Sequence, residues 1–243
     1  MKRILPAAMG GAVLHTALFG LAVVILTGCA GSKGLDRASL QEALRAETQQ
    51  LLAQSNPVPP QTSRLSVPFT LAVYLQPKTY LERRFEWTAA DRETLTAWGE
   101  RLKSDGVLSD LLLLADSSVH GRGLNDIRLA AARYGADAVL IMDGAAAVDR
   151  YNNAKAAFVY WTILGAYLAS GTHSDALVLL EGTFWEIRTQ SLRFSVEAEA
   201  LARTVGPAAF VRDHDTVEQA KRQALAAFGK RLEDHLKSHL VKQ

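Results

Sequence analysis

Cys29 is the only cysteine in a chain of 243 residues. It closes the one long uncharged apolar run, in the order Leu26-Thr27-Gly28-Cys29. Met1-Lys2-Arg3 gives a basic start, and residues 4–28 carry no charged side chain. An apolar helix of this length crosses a bilayer, and small residues beside a cleavage point let a membrane peptidase reach the backbone. The chemistry predicted here is covalent attachment. Cleavage between Gly28 and Cys29 frees a new amino terminus, the sulfur carries a diacylglycerol, and the amine takes an acyl chain. Each buried methylene contributes about 0.8 kcal/mol to membrane attachment, so one chain is marginal and two or three hold firmly. The competing reading is an uncleaved signal anchor in which the thiol is incidental.

The arrangement resembles the signal of bacterial lipoproteins. Ala30-Gly31-Ser32 follows the thiol, with no Asp directly after it. In lipoproteins of the enterobacterial type that absence implies release to the outer membrane, facing the periplasm.

Other residues of chemical type gather less convincingly. His235 and His239 stand at i and i+4, a spacing that can hold zinc, but the intervening Leu236, Lys237 and Ser238 supply no Glu for a zinc-protease motif. A solvated helix face is the simpler reading. Asp213-His214-Asp215 places ligand types in a row, yet neighbouring side chains rarely converge on one ion; carboxylates there suit the positive end of a helix. Ser117-Ser118-Val119-His120-Gly121-Arg122-Gly123 lacks the spacing of a nucleophile elbow or a phosphate cradle. Arg83-Arg84 beside Phe85 and Trp87 is a weak case for lipid head groups. No catalytic constellation, metal set or cofactor motif emerges.

The strongest candidate surface is the apolar stretch 156–169, whose interaction residues are Phe158, Tyr160, Trp161, Ile163, Leu164, Tyr167 and Leu168. Its 14 positions fall short of the roughly 20 needed to span a bilayer as a helix. It suits a core helix, a contact with a second copy or an envelope partner, or a patch lying on a membrane.

The elements around these residues follow from periodicity. After a short leash, 30–34, residues 36–54 read as a helix with Leu40, Ala43, Leu44 and Leu51 on one face. Asn56-Pro57-Val58-Pro59-Pro60 stops it. Residues 67–76 read as a strand with Phe69, Leu71, Val73 and Leu75 facing one way. Thr88 and Asp91 form a capping-box pattern opening a helix with Leu95, Trp98 and Leu102 inward, ended by Gly106. Residues 107–115 are a strand. Asn125 is expected to cap a helix with Ile127, Ala130, Ala131 and Tyr134 inward, closed by Gly135. Residues 138–142 form a strand buried on both faces, which 145–149 can continue. Residues 176–188 and 192–201 read as two long antiparallel strands around Thr189-Gln190-Ser191. A last helix runs from about Asp215, boxed with Glu218, to Leu240, its inner face carrying Val217, Ala220, Ala224, Phe228, Leu232 and Leu236.

That order predicts an α/β fold: a mixed sheet flanked by helices, with a long antiparallel hairpin and a C-terminal helix, preceded by the cleaved signal. The expected domains are 1–28 as signal, 29–61 as anchor, tether, helix and Pro-rich spacer, and 62–243 as the periplasmic body. Removing residues 1–28 takes away Lys2 and Arg3 and no acid, which brings the 27 basic residues level with the 25 acidic ones. A neutral body gives no electrostatic case for nucleic acid. The partners expected are the membrane, through acylated Cys29, and a second copy or an envelope protein.

Two stretches carry a further resemblance. Residues 126–143, with Tyr134-Gly135-Ala136-Asp137-Ala138-Val139-Leu140, and the hairpin 177–199 are similar to periplasmic lipoproteins of the curli-secretion-channel type, to penicillin-binding-protein activator lipoproteins, and to the amino-terminal domain of the Tol-system propeller protein. Those families turn the hairpin with Asp-x-x-Thr-Gly, whereas Glu186-Ile187-Arg188-Thr189-Gln190-Ser191 lacks the Asp and the Gly. Residues 126–140 and Tyr160-Trp161-Thr162-Ile163-Leu164-Gly165-Ala166-Tyr167 resemble the rhombotarget lipoproteins, over about residues 62–240. That family name implies genomic company with a rhomboid-type intramembrane protease and a Gly-Gly tail with a closing apolar segment. The residues from His235 to Gln243 carry neither feature. The resemblance implies a non-enzymatic binding or assembly module; the curli-type likeness implies, as the alternative, an oligomeric pore or secretion subunit built on 156–169.

Overall fold

Phe69, Leu71, Val73 and Leu75 share one face of the strand β1 (Phe69–Leu75), as their spacing predicts, but Ala72 and Tyr74 are buried on the other. A strand apolar on both sides has to lie inside a sheet covered by two layers. The computed structural model, which describes residues 32–53, 65–78, 85–121, 123–153 and 170–238, provides that. The five strands β2 (Leu108–Leu114), β1, β3 (Ala138–Asn152), β4 (Ser170–Glu186) and β5 (Leu192–Pro207) lie side by side in that order. β1 runs parallel to both β2 and β3, with Leu71 opposite Leu111 and Ala138. The later strands join as hairpins, so the sheet is mixed, as expected.

The chain divides into two units. The larger comprises 34–149, 174–204 and 212–243, and holds the described helices α1 (Arg37–Ala53), α2 (Ala89–Ser104), α3 (Leu124–Arg133) and α4 (Asp213–Leu236). On one face of its sheet Leu95, Trp98 and Leu102 of α2 and Val217, Ala220, Ala224, Phe228 and Leu232 of α4 pack against Leu71, Leu140, Val178 and Leu180. On the other, Leu124, Ile127 and Ala131 of α3 and Leu51 of α1 meet Ala72, Val139 and Ile141, and Leu44 of α1 meets Leu177 and Leu179. The smaller unit comprises 1–33, 150–173 and 205–211. There Arg150 donates to the carbonyl oxygens of Val211 and Ala208, each at 3.0 Å, Tyr151 stacks on His173 at 4.9 Å, and the Asn153 amide donates to Gly171 O at 2.8 Å.

Most sequence-level expectations hold, with instructive exceptions. β3 continues through 145–149 to Asn152, and β4 begins at Ser170, earlier than its apolar pattern suggests. The two helix-ending glycines, Gly106 and Gly135, sit at φ 73° and 76°, the left-handed region that a Cβ resists. Tyr134 is 60% exposed rather than inward; it is the C-cap of α3, where the chain has already turned off the helical face. Asn125 is not the cap. Gly123 is, and Asn125 lies one residue inside the helix, where its side chain accepts from Arg128. Likewise α4 starts at Asp213 after the cap Arg212, which makes no side-chain capping bond, so Asp215 and Glu218 form no box. Glu218 is engaged elsewhere, with Lys221.

Lys221 is the unexpected member of the inner face of α4. It is wholly buried, and its ammonium lies 2.7 Å from Asp91 Oδ2, 2.8 Å from Glu218 Oε1 and 2.7 Å from the Glu86 carbonyl oxygen, to which it donates. The Phe85 ring flanks it, its centroid at 5.7 Å. Asp91 Oδ2 also accepts from the Thr88 amide at 2.7 Å, closing the capping box that starts α2. One carboxylate therefore starts a helix and receives a cation from another 130 positions on. A buried ion pair contributes little net stability against an apolar substitute, but breaking it strands a charge. Lys221→Met should destabilise the protein by about 3 kcal/mol in urea unfolding, and adding Asp91→Asn should restore part of that loss; a single variant within about 0.5 kcal/mol of wild type would contradict the assignment.

Candidate functional site

β1 ends where β3 continues. The Gln76 amide donates to Met142 O at 2.9 Å, and Lys78 then turns over the next residue of β3, Asp143. The Lys78 ammonium lies 2.6 Å from Asp143 Oδ1 and 2.9 Å from Glu47 Oε2 on α1. The Gly144 amide adds a 2.7 Å bond to the same Oδ1. The side chains of Lys78 and Asp143 are 8% and 7% exposed, that of Glu47 38%. Three titratable groups from three elements thus meet beneath a helix, at the carboxyl end of a parallel strand.

Their charges are not the ordinary ones. Asp143 Oδ2 is buried and no donor faces it. Protonated, it becomes a donor itself, and Glu47 is the carboxylate beside it. Burial, then that hydrogen bond to Glu47, pushes the Asp143 carboxyl up to about 8, although Lys78 pulls the other way. Glu47 is held below the usual carboxylate value, first by the hydrogen bond from Asp143 and then by Lys78, against the effect of burial. Burial alone would lower Lys78, but Asp143 and Glu47 outweigh it and keep the ammonium charged above its usual range. The cluster is therefore two carboxyls holding one proton next to a fixed cation.

A related group lies under the same helix. Burial, the first cause, raises the Glu181 carboxyl, with Thr48 and Arg45 of α1 opposing and Glu197 assisting. Glu181 lines a cavity of about 120 Å³ between α1 and β4–β5, together with Arg37, Arg45, Glu197, Glu199 and Arg231. Arg37 pairs with Glu199 at 2.6 Å, and Arg231 donates to Glu197 O. A second cavity, about 350 Å³, lies between α2 and α4 against Leu95, Trp98, Leu225, Phe228 and Leu232. Neither cavity is lined by Glu47, Lys78 or Asp143.

The residues singled out in the sequence fall in different places. Cys29, Gly28 and the stretch 156–169 with Phe158, Tyr160, Trp161, Ile163, Leu164, Tyr167 and Leu168 lie outside the described residues, as do Arg83, Arg84 and His239. β3 and β4 are neighbours paired as far as Asn153 and Gly171, so the apolar stretch is the link between them. His235 is not on a solvated face; it stacks on Phe194 with centroids 5.2 Å apart. Asp213 accepts from the Ser174 hydroxyl at 2.8 Å while Asp215 pairs with Arg212 at 2.9 Å, so Asp213-His214-Asp215 diverges. No group of three or more metal-ligating side chains occurs among the described residues. The Ser117–Gly123 loop opens as a 3-10 turn, the Ser118 hydroxyl donating to Ala115 O at 2.6 Å. The hairpin turn is held by Arg128, which donates to Gln190 O at 3.0 Å and lies over Trp185. Sequence reasoning missed the Glu47–Lys78–Asp143 cluster. Its one visible signal is Asp143, an acid placed directly after five apolar residues of a strand read as buried on both faces.

No family model and no curated protein matches the chain. Several solved structures align with it at low similarity. A homolog of neuraminyllactose-binding hemagglutinin from Helicobacter pylori aligns at 15% identity over 76% of this chain and 98% of that one, with a TM-score of 0.38. The hypothetical protein CT253 from Chlamydia trachomatis aligns at 10% identity over 70% and 99%, with a TM-score of 0.37. The lipoprotein GNA1162 from Neisseria meningitidis aligns at 14% over 66% and 99%, with a TM-score of 0.28.

The cluster has a definite titration. The Asp143 carboxyl carbon should titrate in an NMR experiment near 8, and Glu47 below 4.5. Lys78→Met, which removes the cation, should move the Asp143 midpoint higher. Because the folded value lies above the unfolded one, Asp143 contributes most at low pH, and stability should decline as pH rises from about 4 to about 8 and level off above. An Asp143 midpoint near 4 would remove the shared proton.

Proposed function

We propose that the chain is a lipid-anchored protein of the bacterial cell envelope, held in the outer membrane through acylated Cys29 and facing the periplasm, where it acts as a non-enzymatic binding or assembly module. The observation that carries this reading is the placement of the only cysteine, after an uncharged apolar run and Leu26-Thr27-Gly28, with a basic start and no acid before it. Ala30-Gly31-Ser32, free of Asp, supports the outer membrane as destination. The contact surface proposed is 156–169, where Phe158, Tyr160, Trp161, Ile163, Leu164, Tyr167 and Leu168 concentrate apolar and aromatic side chains against a second copy or an envelope protein.

The second reading, an oligomeric pore or secretion subunit, has one observation in its favour: the apolar stretch joins two adjacent, hydrogen-bonded strands. A link between paired strands can extend as a hairpin, and strands cross membranes in fewer residues than helices do.

Mass spectrometry of the protein from its host membranes should find a mature amino terminus at Cys29 carrying a diacylglyceryl group, and Cys29→Ala should keep its leader and lose the acyl mass. An unmodified Cys29 in the mature protein would end the anchor reading. Cross-linking in membranes should trap a complex that Trp161→Ser with Tyr167→Ser reduces several-fold, while leakage of dye from liposomes caused by the purified protein would favour the pore.

A further inference from the structure

α1 is the most lightly fastened helix of the larger unit. Of its 17 residues only Leu44 and Leu51 are buried, whereas α4 buries nine of 24. A cavity of about 120 Å³ separates part of it from β4 and β5. Leu40 and Leu52 pack partly buried, and the remaining attachments include polar ones. The Gly34 amide donates to Asp149 Oδ2 at 2.9 Å just before the helix, Arg37 pairs with Glu199 across solvent, and Glu47 reaches Lys78 over Asp143. Exposed pairs such as Arg37–Glu199 contribute little. Thr48 hydrogen-bonds to the buried Glu181, and the Glu47–Lys78–Asp143 cluster is the buried attachment that includes an ion pair; one of its oxygens, Asp143 Oδ2, lacks a donor.

We propose that α1 is a detachable strap, latched through Glu47, Lys78 and Asp143, whose release uncovers the apolar sheet face of Ile141, Leu177 and Leu179. The latch responds to protons. With Asp143 protonated the cluster is neutral; without that proton it carries one excess negative charge under the helix. When α1 is away, Asp143 meets water and ionises as an ordinary carboxyl. Docking therefore takes up a proton, and the docked state weakens as pH rises from about 4 to about 8, by up to about tenfold per pH unit. Other charged groups at this interface do not reverse the sign. Glu47 is depressed and stays ionised above pH 5, Lys78 loses its proton only above its ordinary range, and Glu181, facing Arg45, is raised and acts in the same direction as Asp143. The inference stands on the geometry of α1 and holds whether or not Cys29 is acylated.

The test is hydrogen exchange, corrected for intrinsic rates, on the full chain in detergent micelles at pH 5, 6.5 and 8. Protection of 37–53 should fall at least tenfold across that range and stay at least tenfold below that of 213–236 at every pH, and fluorescence of a dye that binds apolar surface should rise in step. Asp143→Asn, which keeps the neutral state, should cut the pH dependence of α1 protection to less than half. Glu47→Gln, at a half-exposed position, removes the hydrogen bond that raises Asp143 after burial does, and should lessen the slope. The proposal is overturned if 37–53 and 213–236 are equally protected at every pH, or if either folded variant keeps the wild-type slope.

Discussion

The central strands are apolar on both faces, and most of the structure is an answer to that constraint. β1 carries Leu71 and Val73 toward one layer and Ala72 and Tyr74 toward the other; β3 and β4 repeat the pattern. Leaving either face in water would forfeit about 25 cal/mol for each Å² of apolar area, so helices must cover both. α2 and α4 cover one side thoroughly. α3 and α1 cover the other less evenly, since α1 contributes two buried residues. The strand β2, at the edge of the sheet among the described residues, keeps only Leu108 and Leu114 buried.

Charges inside such a layered core must be paired or neutral, and the molecule uses both solutions. Lys221 is paired twice, with the buried Asp91 and the partly exposed Glu218, and hydrogen-bonded to a carbonyl. Asp143 is matched by Lys78 but also faces Glu47, so it holds a proton instead. The first arrangement ties α4 to the start of α2. The second changes its net charge within the ordinary pH range, and it lies beneath the helix with the fewest buried residues. The well-packed face thus carries an ion pair between two helices, and the loosely packed face carries the shared proton.

What could be read in the sequence was whatever depends on near neighbours. Thr88 and Asp91 are three residues apart, and the box they form stands as expected. The alternation in 69–75 and the helical spacing of Leu95, Trp98 and Leu102 located elements and faces. The failures are local competitions: Asn125 and Asp215 looked like caps, but the backbone turned two and three residues earlier, at Gly123 and Arg212. Lys221 was hidden because a long cationic side chain beside Ala220 reads as solvent-facing, although its own backbone position adjoins the inner face. Glu47, Lys78 and Asp143 share no spacing at all; only the parallel pairing of β1 with β3 and the return of α1 over them bring the three together. The leader and acyl site proposed at Gly28 and Cys29 are the reverse case, since a signal of that kind is written in consecutive residues.

The chain supplies its parts in an order that matters. α4 follows every strand, yet it fills the space between α2 and the sheet, and its buried lysine completes a carboxylate laid down much earlier. Until residues 213–236 have emerged, the helix α2 alone covers that face of the sheet and Asp91 lacks Lys221. The layer is therefore finished, and the first turn of α2 matched with its ammonium, only by residues made long after the strands they cover.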